Sequence, residues 1–337
     1  MGVKKILRRN EFYVLLTILL LSVLIQVNSG QFLTGNNFID LGRALIVPGM
    51  LCMGLMMTII SGGLDVSFPS IAMLSMYATT VFLKTINYEG PVIVAFIISG
   101  ILGLIMGLIN GGLVSWLKLP AFIITLGTSS IYLGFMQAVL KSRVISVLPK
   151  PISAFSKSYL ITSVNQDIGL SSSLPTIFIL LPVTILLTVF ILKYTMLGRG
   201  IYALGGDRVA SERAGFNVIR IQLFVYGFMG ALAGVVGMTR VVLTGSAQPT
   251  TLIGYEMTCI AAVVLGGTRI SGGHGTVTGT LLGITLIIMI NNSLILLGIP
   301  TYWSKFVTGV LIIIGTGVSA YQTLMQKKKI SASTLES

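Results

Sequence analysis

Residues that could do chemistry are few in this chain of 337 residues, which holds nine acidic side chains and a single histidine, His274. Most of the acidic residues fall in predicted loops or tails, and they form no pair of the kind that general acid–base catalysis uses. No Ser-His-Asp or Cys-His set can be assembled, and the two cysteines fit neither a zinc site nor a disulfide framework. No Gly-Lys pair occurs, so the phosphate-binding Gly-x-x-x-x-Gly-Lys-Ser/Thr loop is absent. The sequence therefore predicts neither an enzyme nor a bound metal or cofactor.

Asp65 is the acidic residue whose position is most informative, because it lies in the segment 61–67 between two apolar runs. A carboxylate at the middle of a bilayer costs at least ~2.5–3.5 kcal/mol on insertion scales. We therefore expect Asp65 to lie near a membrane interface, to face the interior of a helix bundle, or to cap a helix. Capping is typical of Asp before an apolar helix, and a role in a pathway or a gate is the alternative.

Other polar side chains lie inside apolar runs, where each either lines a polar path or hydrogen-bonds a neighbouring helix. For any one of them taken alone, bonding between helices is the preferred interpretation. Together with Asp65, the candidates for a translocation pathway are Asn110, Thr125, Gln137, Asn291 and Asn292.

The polar stretch 198–220 predicts a short helix between two apolar runs. Asp207 can cap its start and Gly215 can end it in the left-handed conformation, while Arg213 in the last turn suits the helix dipole. Such a helix offers a docking surface for a cytosolic partner, or it is a plain connection stiffened by its caps. The residues that carry the pattern are Arg199, Ala203, Gly205, Asp207, Ala210, Glu212, Arg213 and Gly215.

The elements that position these residues are long apolar runs. Hydrophobic residues make up 54% of the chain and charged residues only 9%, whereas a soluble domain has roughly 25% charged residues. About 20 apolar residues cross a bilayer as a helix, and runs this continuous are not the alternating strands of a barrel. The sequence predicts an all-α membrane protein with about ten transmembrane helices, near 12–29, 44–61, 66–86, 91–116, 120–140, 174–193, 221–243, 255–267, 275–297 and 303–324. The eighth is short, and we expect it to enter the membrane part-way or to break at Gly266-Gly267.

Basic residues set the predicted orientation, because Lys and Arg concentrate in cytoplasmic connections. With both termini cytoplasmic, most of the 22 basic residues lie inside; the inside set is Lys4, Lys5, Arg8, Arg9, Lys118, Lys193, Arg199, Arg208, Arg213, Arg220, Arg269, Lys327, Lys328 and Lys329. The longest outside connection, 141–173, is also basic, which weakens the argument for this orientation.

The net charge of the chain is +13. The sequence has no basic patch interleaved with aromatic residues, so nucleic-acid binding is not expected.

A faint internal repeat suggests two related halves within a single domain, 1–337. Ile109-Asn110 followed by 117–120 is similar to Ile290-Asn291 followed by 297–300. A Gly-Gly pair precedes each set, at 62–63 and at 266–267, although with different spacing. Transporters are often built from two related halves with the substrate held between them.

Five stretches, in order over roughly 45–320, resemble the membrane permease of bacterial ABC importers for ribose and other simple sugars, including autoinducer-2. They are the Gly-Gly-Leu-Asp-Val-Ser run at 62–67, the Pro-Ala-Phe-Ile-Ile-Thr-Leu-Gly run at 120–127, the glycine and alanine pattern of 198–215, the runs 260–268 and 272–275, and the run 290–298. The chain departs from the family pattern at Pro69, Asp207, Ser211 and Arg269. Pro69 and Arg269 put the local backbone geometry in question. Asp207 and Ser211 lie in the loop that would face the ATPase, so they concern which ATPase subunit binds.

The resemblance implies a permease subunit of the bacterial cytoplasmic membrane that moves a simple sugar. It implies two permeases, identical or different, that form the pathway in the bilayer. Two cytosolic ATPase domains would dock on the 203–217 loop, and an extracytoplasmic binding protein would deliver the sugar. An ion-gradient-driven secondary transporter is the alternative function, although ionisable residues deep in the spans are scarce. An intramembrane enzyme lacks an evident nucleophile–base set.

Overall fold

The computed structural model describes residues 10–165 and 170–296, together with the single positions 300, 303, 306, 309, 310, 313 and 317. The helices are α1 (Asn10–Ser29), α2 (Gly35–Ile60), α3 (Phe68–Thr85), α4 (Ile93–Leu117), α5 (Ala121–Leu140), α6 (Lys150–Phe155), α7 (Leu180–Tyr194), α8 (Met196–Gly206), α9 (Arg208–Arg213), α10 (Val218–Thr244), α11 (Tyr255–Leu265) and α12 (Val277–Leu296). Two strands, β1 (Tyr159–Asn165) and β2 (Leu170–Pro175), form an antiparallel hairpin, and the 3-10 turn Thr176–Ile179 leads into α7.

Seven helices of the described chain are long and apolar enough to cross a membrane. The predicted span 66–86 coincides with α3, which has only 18 residues, carries Ser and Thr, and is largely buried in the bundle. The predicted break at Gly266-Gly267 is confirmed: α11 has 11 residues, about 16 Å at the helical rise, and Gly267 has a φ of +90°. The tenth predicted span, 303–324, and the terminal basic residues lie outside the continuously described ranges.

The central helix of the bundle is α2, which packs against α7, α8, α10, α11 and α12. It begins nine residues before the predicted span because its first turns are polar and are anchored outside the apolar core. Thr34 caps its N-terminus through the backbone N–H of Asn37, and Asp40 accepts a hydrogen bond from the hydroxyl of Ser172 in β2 at 3.1 Å. Its inner half is fully buried and rich in methionine, which fills irregular gaps between helices.

Among the described helices, α4 and α10 make the most extensive contact, and small residues make this approach feasible. A Cβ atom on Gly107 would lie 2.9 Å from the Cα of Gly230, and one on Gly103 would lie 3.0 Å from the Cα of Gly234. The hydroxyl of Ser99 donates to the carbonyl oxygen of Gly234 at 2.7 Å. Backbone contact of this kind drives helix association where lipid removes the hydrophobic effect, so the glycine spacing seen in the sequence is a packing feature.

The helices run alternately between two ends of the bundle. The end that we call the inner end contains the C-termini of α2, α4 and α11 and the whole α8–α9 segment, because Gly205 contacts Ile60 and Gly272 while Gly111 contacts Leu223. This is the end that the sequence assigns to the cytoplasm. Basic residues lie at or near helix termini there, namely Lys118, Lys193, Arg199, Arg208, Arg213, Arg220 and Arg269.

The predicted outside connection 141–173 is ordered rather than a plain loop. It contains α6 and most of the hairpin, and Ile145 pairs with Ala247 through two backbone hydrogen bonds. Lys150 forms an exposed ion pair with Glu89 at 2.6 Å. This pairing lowers the pKa of the Glu89 carboxyl and raises the pKa of the Lys150 ammonium group. The outer segment is therefore tied to the α3–α4 and α10–α11 connections.

The two Gly-Gly pairs of the suggested repeat occupy comparable places. Gly62-Gly63 follows the C-terminus of α2, and Gly266-Gly267 follows that of α11, and both helices end at the inner end. In each case a non-helical connection, 61–67 or 266–276, leads to the next helix. This arrangement agrees with two related halves, which stay a prediction.

Candidate functional site

The connection 61–67 between α2 and α3 is the polar centre of the inner half of the bundle. Gly62 has a φ of +84°, which turns the chain away from α2, and the backbone then runs without helical hydrogen bonds to Ser67. Non-helical backbone at membrane depth is tolerated only where protein or water satisfies its polar groups. The side chains that satisfy this segment therefore define a candidate site.

Asp65 folds its carboxylate back onto the start of α3. Its Oδ1 atom accepts a hydrogen bond from the backbone N–H of Ser67 at 2.8 Å and another from the hydroxyl of the same residue at 2.7 Å. Ser67 is the residue that precedes the helix, so Asp65 orients the cap residue instead of bonding the first-turn N–H groups directly. The side chain is 1% exposed, which is rare for an acidic residue.

A network of side chains extends from Ser67 into α4 and α5. The amide of Asn110 donates to the Ser67 hydroxyl at 2.7 Å. The hydroxyl of Tyr132 lies 3.3 Å from Asn110 Oδ1 and 3.1 Å from the carbonyl oxygen of Met106. The Thr125 hydroxyl lies 3.2 Å from both the carbonyl oxygen of Leu64 and the backbone nitrogen of Val66. We call Asp65, Ser67, Asn110, Thr125 and Tyr132 the polar cluster.

The structure thus brings together three of the six pathway candidates and separates the others. Gln137 is exposed on α5, about one and a half turns beyond Tyr132 along the helix. Asn292 donates to Asn37 Oδ1 at 3.0 Å and so bonds α12 to α2. Asn291, its neighbour on α12, is half-buried. Asn292 therefore has the helix-bonding geometry that was preferred for such residues.

Two tyrosines of this region were not singled out by sequence reasoning. Tyr132 belongs to the polar cluster, and Tyr226 on α10 is 1% exposed with the hydroxyl end of its side chain against Gly63. Among the described residues, neither the Tyr226 hydroxyl nor Asp65 Oδ2 has a hydrogen-bond partner. In the sequence, the one feature that could have identified Tyr226 is its position inside a glycine-rich apolar run. That position does not reveal which groups its hydroxyl faces.

The second candidate region is the α8–α9 segment at the inner end. The Thr195 hydroxyl accepts from the backbone N–H of Gly198 at 3.1 Å and caps α8. Asp207 caps α9 through the N–H of Ala210 at 2.9 Å, and Gly215 ends the turn with a φ of +86°. Both caps agree with the helix that the sequence predicts. The ion pair between Arg208 and Glu212, at 3.3 Å, adds a weak i,i+4 contact.

The surface of α9 is open to solvent. Every residue from 206 to 215 is exposed except Ser211, which is 2% exposed. Val209 is 55% exposed, and Ile219 is 54% exposed at the start of α10. The basic side chains of Arg199, Arg208, Arg213 and Arg220 surround these two apolar residues in sequence. Exposed apolar side chains with cationic neighbours in sequence, at the ends of two capped helices, offer a surface that can bind another protein.

Two of the residues that depart from the family pattern, Pro69 and Arg269, fit their local geometry. Pro69 lies in the first turn of α3, where its missing N–H needs no partner. The backbone of Arg269 accepts from the N–H of Gly272 at 3.0 Å and donates to the carbonyl oxygen of His274 at 3.0 Å, within a tight turn. Within residues 10–165 and 170–296, no group of His, Cys, Asp or Glu side chains could hold a metal ion.

Residues 37–315 match the family described as "Branched-chain amino acid transport system / permease component". The ribose import permease protein RbsC of Escherichia coli K12 is 31% identical over 306 residues, which cover 89% of this chain and 90% of the relative. RbsC of Bacillus subtilis 168 is 32% identical and covers 89% of each chain. The autoinducer 2 import system permease protein LsrC of Photorhabdus luminescens is 31% identical over 92% of this chain and 89% of the relative. No solved structure gives a significant match.

These findings define the class: the chain belongs to this family of permease components, and it is a transport subunit rather than an enzyme. It is a multi-pass protein of the bacterial cytoplasmic membrane. The relatives are permeases of import systems for ribose and for autoinducer 2. Membership of such systems implies two general kinds of partner, an ATPase and a binding protein.

Proposed function

We propose that this chain is the membrane-spanning permease subunit of an ATP-binding-cassette importer and that it translocates a simple sugar, ribose-like or autoinducer-2-like. The observation that carries the proposal is similarity along nearly the whole chain to import permeases for these two solutes. A sugar would be released by an extracytoplasmic binding protein into a cavity shared with a second permease. That second permease is either a copy of this chain or a related protein.

The α8–α9 segment is the proposed docking site for the cytosolic ATPase. Its caps hold a short helix in place before any partner binds, which lowers the entropy cost of association. Val209 supplies an exposed apolar contact, and the surrounding arginines complement an acidic surface. The proposed coupling residues are Arg199, Ala203, Gly205, Asp207, Ala210, Glu212, Arg213 and Gly215.

The polar cluster is the proposed inner part of the translocation pathway. Asp65, Asn110 and Thr125 are all at most 1% exposed, so this part of the pathway is closed in the present conformation. Opening would separate α3 from α4 or α5 and expose hydrogen-bonding groups that suit the hydroxyls of a sugar. Gln137, Asn291 and Asn292 are proposed to lie further along the path.

The alternative, a transporter driven by an ion gradient, receives less support. Such proteins place ionisable residues along the path of a proton or sodium ion. Among the described residues, Asp65 is the only buried side chain of a charged type, and its Oδ1 is engaged in bonds that hold Ser67.

The docking proposal is tested with a charge placed on the exposed apolar residue of α9. Val209→Asp leaves the fold intact because the side chain points into solvent, but it puts an uncompensated carboxylate into the proposed interface. We expect retention of the ATPase in detergent pull-down, and ATP-dependent sugar uptake in proteoliposomes, to fall about tenfold or more, as for loss of an interface hot spot.

Val147→Asp is the matched control, because Val147 is 72% exposed in the outer connection. This variant should retain the ATPase at the wild-type level. Wild-type retention and uptake by the Val209→Asp variant would contradict the docking site, and undiminished uptake without ATP would contradict the importer.

A further inference from the structure

The α8 helix touches both non-helical connections of the inner end. Gly205, in its last turn, lies so close to the C-terminus of α2 that a Cβ atom would collide with the carbonyl oxygen of Ile60. The same carbonyl oxygen accepts a hydrogen bond from the backbone N–H of Gly273 at 2.9 Å. A Cβ on Gly272 would lie 3.0 Å from the Cα atoms of Gly205 and Gly62. Three backbones that are distant in sequence therefore meet at one point.

A side chain of α8 strengthens this meeting point. Tyr202, one turn before Gly205, donates its hydroxyl to the carbonyl oxygen of Gly275 at 2.8 Å. Burial raises the pKa of this hydroxyl, so it stays a protonated donor. Gly275 itself packs against Ile60, whose side chain would lie 2.8 Å from a Cβ placed there. Tyr202 thus fixes the 266–276 connection, while Gly205 fixes the end of α2.

Each connection leads onward to a different part of the bundle. The connection 61–67 contains Asp65 and Ser67 of the polar cluster and leads into α3. The connection 266–276 continues into α12, and Gly266 and Gly279 bring α11 and α12 into backbone contact. Displacement of α8 would therefore act on α2–α3 and on α11–α12 together. Close-packed contacts of this kind transmit displacement because they leave no empty space into which one backbone could move without moving the other.

We propose that Tyr202 is a positioning residue that, with Gly205, joins α8 to both connections, so that movement imposed on the α8–α9 segment reaches both at once. This inference rests on the proposed function, in which an ATPase moves that segment. Its role is distinct from docking, because Tyr202 is half-buried and Gly205 faces Ile60 instead of solvent.

The test measures the number of sugar molecules imported per ATP hydrolysed by the complete complex of permease, ATPase and binding protein in proteoliposomes. Tyr202→Phe removes one hydrogen bond and keeps the ring. We expect this ratio to fall roughly fivefold, the effect of a hydrogen bond worth ~1 kcal/mol, while ATPase binding and ATP hydrolysis persist. Tyr77→Phe is the matched control, because the Tyr77 hydroxyl donates to the carbonyl oxygen of Arg143 at 2.9 Å, at the outer end. It should leave the ratio unchanged.

A second pair of variants tests the same link through Gly205, without changing Tyr202. Gly205→Ala places a methyl group against Ile60, whereas the Cβ of Gly206→Ala meets no atom within 4 Å. We expect only Gly205→Ala to lower the ratio. If both Tyr202→Phe and Gly205→Ala imported as many sugar molecules per ATP as the wild type, the proposed link between α8 and the two connections would be overturned, while the proposed function would still stand. Failure of the wild-type complex to bind the ATPase, or import without ATP, would overturn the proposed function itself.

Discussion

At the level of single residues, the buried carboxyl group of Asp65 has a direct energetic consequence. It is held in place by two short hydrogen bonds to Ser67, and Ser67 is held in turn by Asn110. Leaving such donors without an acceptor in a buried site costs the full desolvation energy of the groups. The polar cluster therefore stabilises the non-helical connection 61–67 between α2 and α3.

Replacing Asp65 with Ala should destabilise the protein by about 1–3 kcal/mol, because the Ser67 N–H and hydroxyl lose their acceptor. The measurement is the free energy of unfolding in detergent. Asp65→Asn is the control, since its amide oxygen can accept the same bonds, and it should unfold close to wild type. An alanine variant as stable as wild type would show that the connection does not depend on this carboxylate.

At the level of elements, the crossing of α4 and α10 depends on the absence of side chains at a few positions. Gly103, Gly107, Gly230 and Gly234 place backbone against backbone across the crossing. By contrast, Gly112 on α4 has no atom within 4 Å of the place where its Cβ would lie. Glycines of one helix therefore differ in role although their sequence context is similar.

Gly107→Ala should lower the free energy of unfolding by about 1–3 kcal/mol, because the added methyl group overpacks the crossing against Gly230. Gly112→Ala should be neutral or slightly stabilising, since Ala has the higher helix propensity. Thermal unfolding of the two purified variants in the same detergent compares them directly. Equal stability of the two variants would mean that α4 and α10 do not approach this closely in the membrane.

At the level of the whole molecule, the arrangement of helix ends assigns surface residues to opposite sides of the membrane. Glu212 is exposed at the inner end on α9, and Lys157 is exposed in the outer connection after α6. The native cysteines, Cys52 and Cys259, are both 0% exposed. Introduced cysteines are therefore expected to dominate any labelling by a hydrophilic thiol reagent.

A membrane-impermeant maleimide added to intact cells should label Lys157→Cys and leave Glu212→Cys unlabelled until the membrane is permeabilised. The unmodified chain reports the background from the two buried cysteines. Labelling of Glu212→Cys in intact cells would place the α8–α9 segment outside, where no cytosolic ATPase could reach it.

Local features were predictable because their causes lie within a few residues of chain. The caps at Asp207 and Gly215 follow from side-chain and backbone preferences at helix ends, and the short eighth span follows from the length of its apolar run. Two local features were missed. Hydropathy began α2 too late at its outer end because the first turns are polar. The serine-rich hairpin of β1 and β2 carries no strong strand pattern.

The sequence by itself determined that the chain lies in a membrane, where most of the described membrane helices lie, how α9 is capped and which family the chain resembles. These properties depend on composition, apolar run length and local motifs. Only the tertiary structure decided that Asp65, Asn110 and Thr125 share one cluster, that Asn292 bonds α2, and that Gly205 and Tyr202 join two connections. The bond between Asn110 and Ser67 spans 43 residues and the bond between Tyr202 and Gly275 spans 73. Contacts at such separations are set by how helices pack, which no local pattern encodes.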